Sequence, residues 1–150
     1  MWEEKQVVLV DDAGQRRHDF TVILDFLGEN PRDFDCAGWA ELLQNNNAKQ
    51  GSRAVGAVLL GSCGVRPLGK LLREIHDWDT TVPVILFGDQ TLDAIDDVDM
   101  RRKVIAHLEF PPSYNKLLDT LHRAQVYREQ FDSHAGRVLH GGRGGRASGG

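Results

Sequence analysis

The chain has 150 residues, enough for one domain with a substantial core, and its 41% hydrophobic and 27% charged content exclude collagen-like, generally disordered and disulfide-scaffold classes. The net charge is −4, but residues 134–150 carry Arg137, Arg143 and Arg146 with no acid; removing that +3 leaves −7 on the body, a poor partner for nucleic-acid phosphates. Cys36 and Cys63 form neither a C-x-x-C pair nor a zinc spacing and read as two reduced thiols. No stretch has the basic-then-apolar order of a leader or the ~20 apolar residues of a membrane span, so a cytoplasmic, membrane-free chain is expected.

Gln6-Val7-Val8-Leu9-Val10 is a continuous apolar run, the composition of a strand buried on both faces. It stops at Asp11-Asp12. Phe20, Ile23, Leu24 and Leu27 then share a helical face, and Gly28 stands where a C-cap glycine belongs. Residues 32–37 read as a weak strand. Trp39, Leu42 and Leu43 read as a short helix that ends in Asn45-Asn46-Asn47. Ala54 to Leu60 is a second buried run. Leu68, Leu71, Leu72, Ile75 and Trp78 recur at helical spacing, with Pro67 in the first turn.

Val82 to Phe87 is a central strand that tolerates Pro83 only near its start. Residues 91–102 read as an acidic helix with Leu92, Ile95 and Val98, and residues 103–108 as a short strand. The last helix follows Pro111-Pro112 with Ser113 as its N-cap, carries Tyr114, Leu117, Leu118, Leu121 and Ala124, and runs to Phe131. Seven of the 16 glycines fall in residues 132–150. The folded domain is therefore expected over 1–132, with 133–150 a Gly/Arg-rich disordered tail or interdomain linker. Strand and helix alternate five times. That predicts an α/β fold with a five-stranded, parallel, doubly wound sheet of order 2-1-3-4-5.

In an open sheet of this kind, ligands gather at the carboxyl ends of the strands. Asp11-Asp12, at the first strand's end, suit Mg²⁺ binding, or else they cap the following helix. A phosphoacceptor site needs a further carboxylate after the third strand, a hydroxyl after the fourth and a lysine after the fifth. Those positions hold Gly61, Gly88 and Phe110, so Asp11 and Asp12 read as a vestigial acidic pocket. Ser62 lies one residue along and faces the other way. A phosphoreceiver with a non-standard acceptor, Ser62 or Asp89, is the alternative.

Gly64 to Lys70 matches G-x-x-x-x-G-K, which would suit a nucleotide-binding domain. However, Leu71 replaces the Ser or Thr that meets Mg²⁺. A helix opening at Pro67 also places Gly69 and Lys70 where backbone amides are already bonded. Asp93, Asp96, Asp97 and Asp99 match no calcium loop, and the histidines form no metal pair, so no metal site is expected.

Several blocks resemble the N-terminal domain of the FleQ/FlrA family of flagellar master regulators, across about residues 1–132. They are Met1-Trp2, Asp11-Asp12, the run from Val22 to Glu29, Leu59-Leu60-Gly61-Ser62, and above all Leu108 to Asp119 continuing through Leu121 to Glu129. The resemblance implies a CheY-like but atypical receiver domain without enzymatic activity. In the whole protein it would precede an AAA+ ATPase and a helix-turn-helix DNA-binding domain of a sigma-54-dependent activator. ATP and cyclic di-GMP would then bind the AAA+ module, leaving no cofactor for this domain. The resemblance further implies a homodimer and, as a partner, a flagellar antiactivator ATPase. Receivers commonly pair through their fourth helix, fifth strand and fifth helix, a face that here includes Met100, Tyr114 and Leu118. Their Lys-Pro bond is often cis, which raises the same question for Phe110-Pro111.

Overall fold

Five strands and five α-helices alternate along the chain: β1 (Gln6–Val10), α1 (Gly14–Phe26), β2 (Asn30–Phe34), α2 (Cys36–Gln44), β3 (Val55–Leu60), α3 (Leu68–Trp78), β4 (Val84–Phe87), α4 (Val98–Lys103), β5 (Val104–Leu108) and α5 (Tyr114–Gly141). The computed structural model describes residues 5–44, 54–64, 66–88 and 90–141; Asn45-Asn46-Asn47, Asp89 and residues 142–150, with their Arg-Gly-Gly-Arg run, lie outside these. All four strand pairings are parallel, and the order is β2-β1-β3-β4-β5, as the alternation predicts.

Period-two alternation divides the strand side chains between two cores. Val8, Val10, Val58, Leu60, Val84 and Leu86 pack with Trp39 of α2, Leu71, Leu72 and Ile75 of α3, and Met100 of α4. Val7, Leu9, Ala57, Leu59, Ile85 and Phe87 pack with Phe20 and Leu24 of α1 and Leu117 and Ala124 of α5. Apart from Gln6 at the start of β1, the three central strands carry no polar side chain because both faces are covered. Gly28 takes φ +82°, and the amides of Gly28 and Glu29 close α1 on Asp25 and Leu24, as its position suggests. At the other end of the chain, Ser113 Oγ accepts the Lys116 amide at 3.2 Å, so the expected N-cap of α5 forms.

Four boundaries differ from the sequence reading. β2 covers Asn30–Phe34, not residues 32–37. Pro67 precedes α3 with ψ 139° and lies outside the helix. The acidic stretch 91–102 is broken into a 3₁₀ turn at Leu92–Ala94 and the short α4. The break is an N-cap: the Asp97 carboxylate accepts the Asp99 amide at 2.9 Å, which holds Asp97 in an extended conformation. Finally, α5 continues past Phe131 to Gly141. Six of the seven late glycines stand at 141 or beyond, so averaging over 132–150 concealed a stretch able to remain helical.

The two cysteines also need correction. Cys36 and Cys63 are joined by a disulfide, with Cα atoms 5.6 Å apart. The fold supplies the proximity. β2 and β3 both flank β1 in parallel, so the first residue of α2 and the segment after β3 emerge side by side. A separation of 27 residues gives no such signal in the sequence.

A buried ionic cluster fixes α5 to the opposite end of the sheet. Arg128 is 2% exposed. Its Nη1 and Nη2 donate to the Asp79 carboxylate at 2.8 and 2.7 Å, and Nη1 also donates to Thr81 Oγ1 at 2.6 Å. Lys103, also buried, donates from Nζ to the Asp79 carbonyl at 2.9 Å. Burial lowers the Lys103 pKa to about 8, with the Asp79 charge opposing the shift and Arg128 adding to it.

This shift has a testable sign. Between pH 8 and 10.5 the unfolded lysine holds a proton that the folded lysine has released, so stability rises with pH in that window and is flat below it. The difference in urea midpoint between the protein and a Lys103→Met variant is expected to move in the protein's favour as pH climbs through this range. A difference that moves the other way would mean that Asp79 outweighs burial.

Candidate functional site

The carboxyl ends of β1, β3 and β4 converge on Asp11, which is fully buried. Arg16, five residues on and in the first turns of α1, folds back onto it. Arg16 Nε donates to Asp11 Oδ2 at 2.7 Å and Nη2 to Oδ1 at 2.9 Å, a bidentate fork. Asp11 Oδ1 also accepts the amides of Ala13 at 3.0 Å and Ser62 at 3.2 Å. Arg17 Nη1 donates to the Asp11 carbonyl at 2.6 Å. The neighbouring Asp12 accepts the Cys36 amide at 2.9 Å and donates its own amide to Ser62 at the same distance. Both carboxylates are therefore committed to holding α1, α2 and the segment after β3 together.

The three positions that a phosphoacceptor site would use are closed. A Cβ at Gly61 would lie 2.7 Å from Phe87 Cζ and 2.8 Å from Asp11 Cγ. Gly88, at φ +72°, faces Arg16, whose Nη1 would be 2.8 Å from an added Cβ. The Arg16 guanidinium lies 5.5 Å from the centroid of the Phe87 ring. Phe110 packs against Phe20 and Phe87 at 5.4 and 6.4 Å, and its bond to Pro111 is cis. An arginine thus supplies the positive charge beside Asp11, and three phenylalanines fill the space next to it. In chemical terms the site offers a buried ion pair and no nucleophile at position 61.

The glycine-lysine motif fares no better as a phosphate cradle. Gly64 takes φ +56° in a turn closed by the Arg66 amide on the Cys63 carbonyl, with Asp12 Oδ2 3.4 Å from where its Cβ would be. A carboxylate at that position repels phosphate. Gly69 and Lys70 lie inside α3. Asp97 caps α4 and pairs with Arg73, and the Asp99 amide holds its carboxyl below the usual carboxylate range. Among the described residues, no three His, Cys, Asp or Glu side chains are placed to share a metal ion.

The proposed pairing face is only partly present. Tyr114 is 60% exposed and Leu118, one helical turn further on, is exposed too, but Met100 is turned into the core and leaves the face. The residue that the sequence reading missed is Arg16. Its signal was available, a basic side chain within one and a half turns of Asp11 at the start of a helix.

A sequence model of the family described as "Flagellar regulatory protein FleQ" matches residues 6–126. The chain belongs to the FleQ family. Solved structures support the same fold for this FleQ-family domain. A CheY-like response regulator receiver domain protein from Methanospirillum hungatei JF-1 is 17% identical over 85% of this chain and 98% of its own, with a TM-score of 0.64. A signal receiver domain of an HD domain-containing protein from Pseudomonas fluorescens Pf-5 is 21% identical over 89% and 95%, with a TM-score of 0.70. NtrX from Brucella abortus, solved with ADP, is 20% identical over 91% of this chain but only 29% of its own, with a TM-score of 0.66. The domain of this FleQ-family chain is thus a receiver-like regulatory fold.

Against this background, Gly61→Asp is expected to destabilise the domain by about 2–4 kcal/mol and not to create an acceptor. The new side chain would collide with Phe87 and place a second carboxylate against Asp11. Urea unfolding reads the first effect. Intact mass after incubation with acetyl phosphate reads the second, and a phosphorylated variant of unchanged stability would refute the packing argument.

Proposed function

We propose that this domain is a phosphorylation-independent, non-enzymatic regulatory and dimerisation module of a sigma-54-dependent flagellar gene activator. It acts in the cytoplasm on the AAA+ module that follows in the whole protein. The observation that carries this reading is the Arg16–Asp11 fork. An internal cation stands where Mg²⁺ would need to bind; Arg16 fills the space at Gly88, and Phe87 and Asp11 fill the space at Gly61. Regulation then passes through surfaces. Tyr114, Leu118, Val126 and Phe131 are large apolar side chains left exposed along α5, the helix leading toward the chain's carboxyl end. Tyr114 and Leu118, one helical turn apart, share a face suited to a second copy, and a flagellar antiactivator ATPase is a further candidate partner. ATP and cyclic di-GMP are assigned to the AAA+ module and not to this domain.

Sedimentation equilibrium with and without Mg²⁺ and beryllofluoride tests the proposal. A self-association constant that the phosphoryl analogue leaves unchanged is expected. An analogue-dependent constant would demonstrate a working acceptor, such as Ser62, and overturn it.

A further inference from the structure

We propose that Cys36 and Cys63 form a reversible thiol–disulfide site at the mouth of the closed pocket, exchanging with small thiols and disulfides of the glutathione class. The bridge joins the first residue of α2 to the segment that follows β3, within the same set of strand ends as Asp11 and Asp12. The attachment points are also pocket residues: Asp12 accepts the Cys36 amide, and Ser62, next to Cys63, binds both carboxylate-bearing residues through its backbone. The Cα separation of 5.6 Å lies in the range that a disulfide spans without backbone movement. These are the chain's two cysteines, so no other thiol in it competes for either partner.

The inference rests on the cytoplasmic reading above. In that compartment thiol buffers keep most cysteines reduced, and the disulfides that do form are usually transient and redox-sensing. Exchange proceeds through a glutathione thiolate attacking one sulfur. The Cys36–Cys63 bond breaks and a mixed disulfide forms. A second glutathione then releases oxidised glutathione and leaves two protein thiols. Two electrons and two protons enter the protein, and oxidised glutathione reverses the step. Both cysteines are only 5% exposed, so attack waits for the turn around Gly64 to open. Reduction removes the covalent tie between α2 and that turn and leaves Asp12 to hold them by hydrogen bonds alone. Redox chemistry then acts at the place where Gly61 has removed phosphorylation chemistry.

The test equilibrates the full chain in buffers of varied reduced-to-oxidised glutathione ratio. Free thiols are trapped with N-ethylmaleimide under denaturing conditions and counted by mass, and hydrogen exchange is followed in parallel. Labelling is expected to pass from none to both cysteines. Reduction is expected to speed exchange at residues 35–40 and 61–64 by at least about tenfold while sparing β4 and β5. A Cys36→Ser/Cys63→Ser variant should show the reduced pattern at every ratio. Two labels even in oxidised glutathione, no labels in excess reduced glutathione, or identical exchange in both forms would each overturn the proposal. None of these outcomes bears on phosphorylation independence, which the beryllofluoride experiment decides separately.

Discussion

Arg16→Ala is expected to destabilise the domain by about 2–4 kcal/mol and to make it sensitive to Mg²⁺. Asp11 is fully buried, and the two N–H bonds from Arg16 are its charged contacts among the described residues. Removing the guanidinium leaves a carboxylate supported by the amides of Ala13 and Ser62, which satisfy an oxygen but do not neutralise a charge. Breaking one side of a buried pair costs far more than the pair contributes, because the remaining charge has lost its water. The Arg16 side chain is 20% exposed, so some solvent enters the gap and moderates the loss. Mg²⁺ has a use for the vacated position beside Asp11 and Asp12 and should raise the urea midpoint of the variant but not of the parent. Arg16→Lys should fall between, since lysine restores charge without the fork. A loss below about 1 kcal/mol would show that the amides alone suffice and that Arg16 is not what keeps the pocket closed.

The second large effect is expected at Arg128, whose replacement by alanine should cost about 3–5 kcal/mol. Here the exposure is 2% and the partner, Asp79, lies between α3 and β4, so little water reaches the gap. The Asp79 carboxylate also holds the amide and hydroxyl of Thr81, and its carbonyl accepts Lys103. The variant therefore strands a charge within a network. Asp79→Asn combined with Arg128→Met should recover part of the loss, because the amide oxygen still serves Thr81 and neither of these two positions keeps a charge, although Lys103 loses the support of the Asp79 carboxylate. Urea unfolding of Arg128→Met, Asp79→Asn and the double variant checks this. Strictly additive losses would mean that the two residues do not act as a pair.

The architecture was readable because its signals are local and repeated. Three apolar runs stop at strand ends, Gly28 closes a helix and Ser113 opens one. Gly61, Gly88 and Phe110 could be picked out for the same reason, since each lies one or two residues past the end of a strand. What could not be read depends on residues meeting across the fold. Arg16 and Asp11 share a helix-start neighbourhood, yet only the backbone path shows the fork. Cys36 and Cys63 meet because two strands flank a third. Met100 is placed on a pairing face by resemblance to receivers, and a short acidic helix gives no periodicity long enough to show that it faces inward. The break at Asp97 has its own lesson: a capping aspartate within an acidic run is indistinguishable by composition from its neighbours.

The strand order has a last consequence for how copies of this domain can meet. An open sheet ends in two strands whose outer backbone groups are available to extend it, and an unguarded edge recruits other chains. Both ends are guarded here. β2 carries Pro31 in its second position, which removes a donor. In β5 the register shifts so that Val104 and Ala106 find partners on β4 while Ile105 between them does not, and the Ile105 carbonyl is occupied by Arg123 at 2.8 Å. Growth of the sheet from one molecule into the next is thus disfavoured at either margin. Any pairing of copies would then fall to the helical flanks, where contacts can form and part without a shared ladder of backbone bonds.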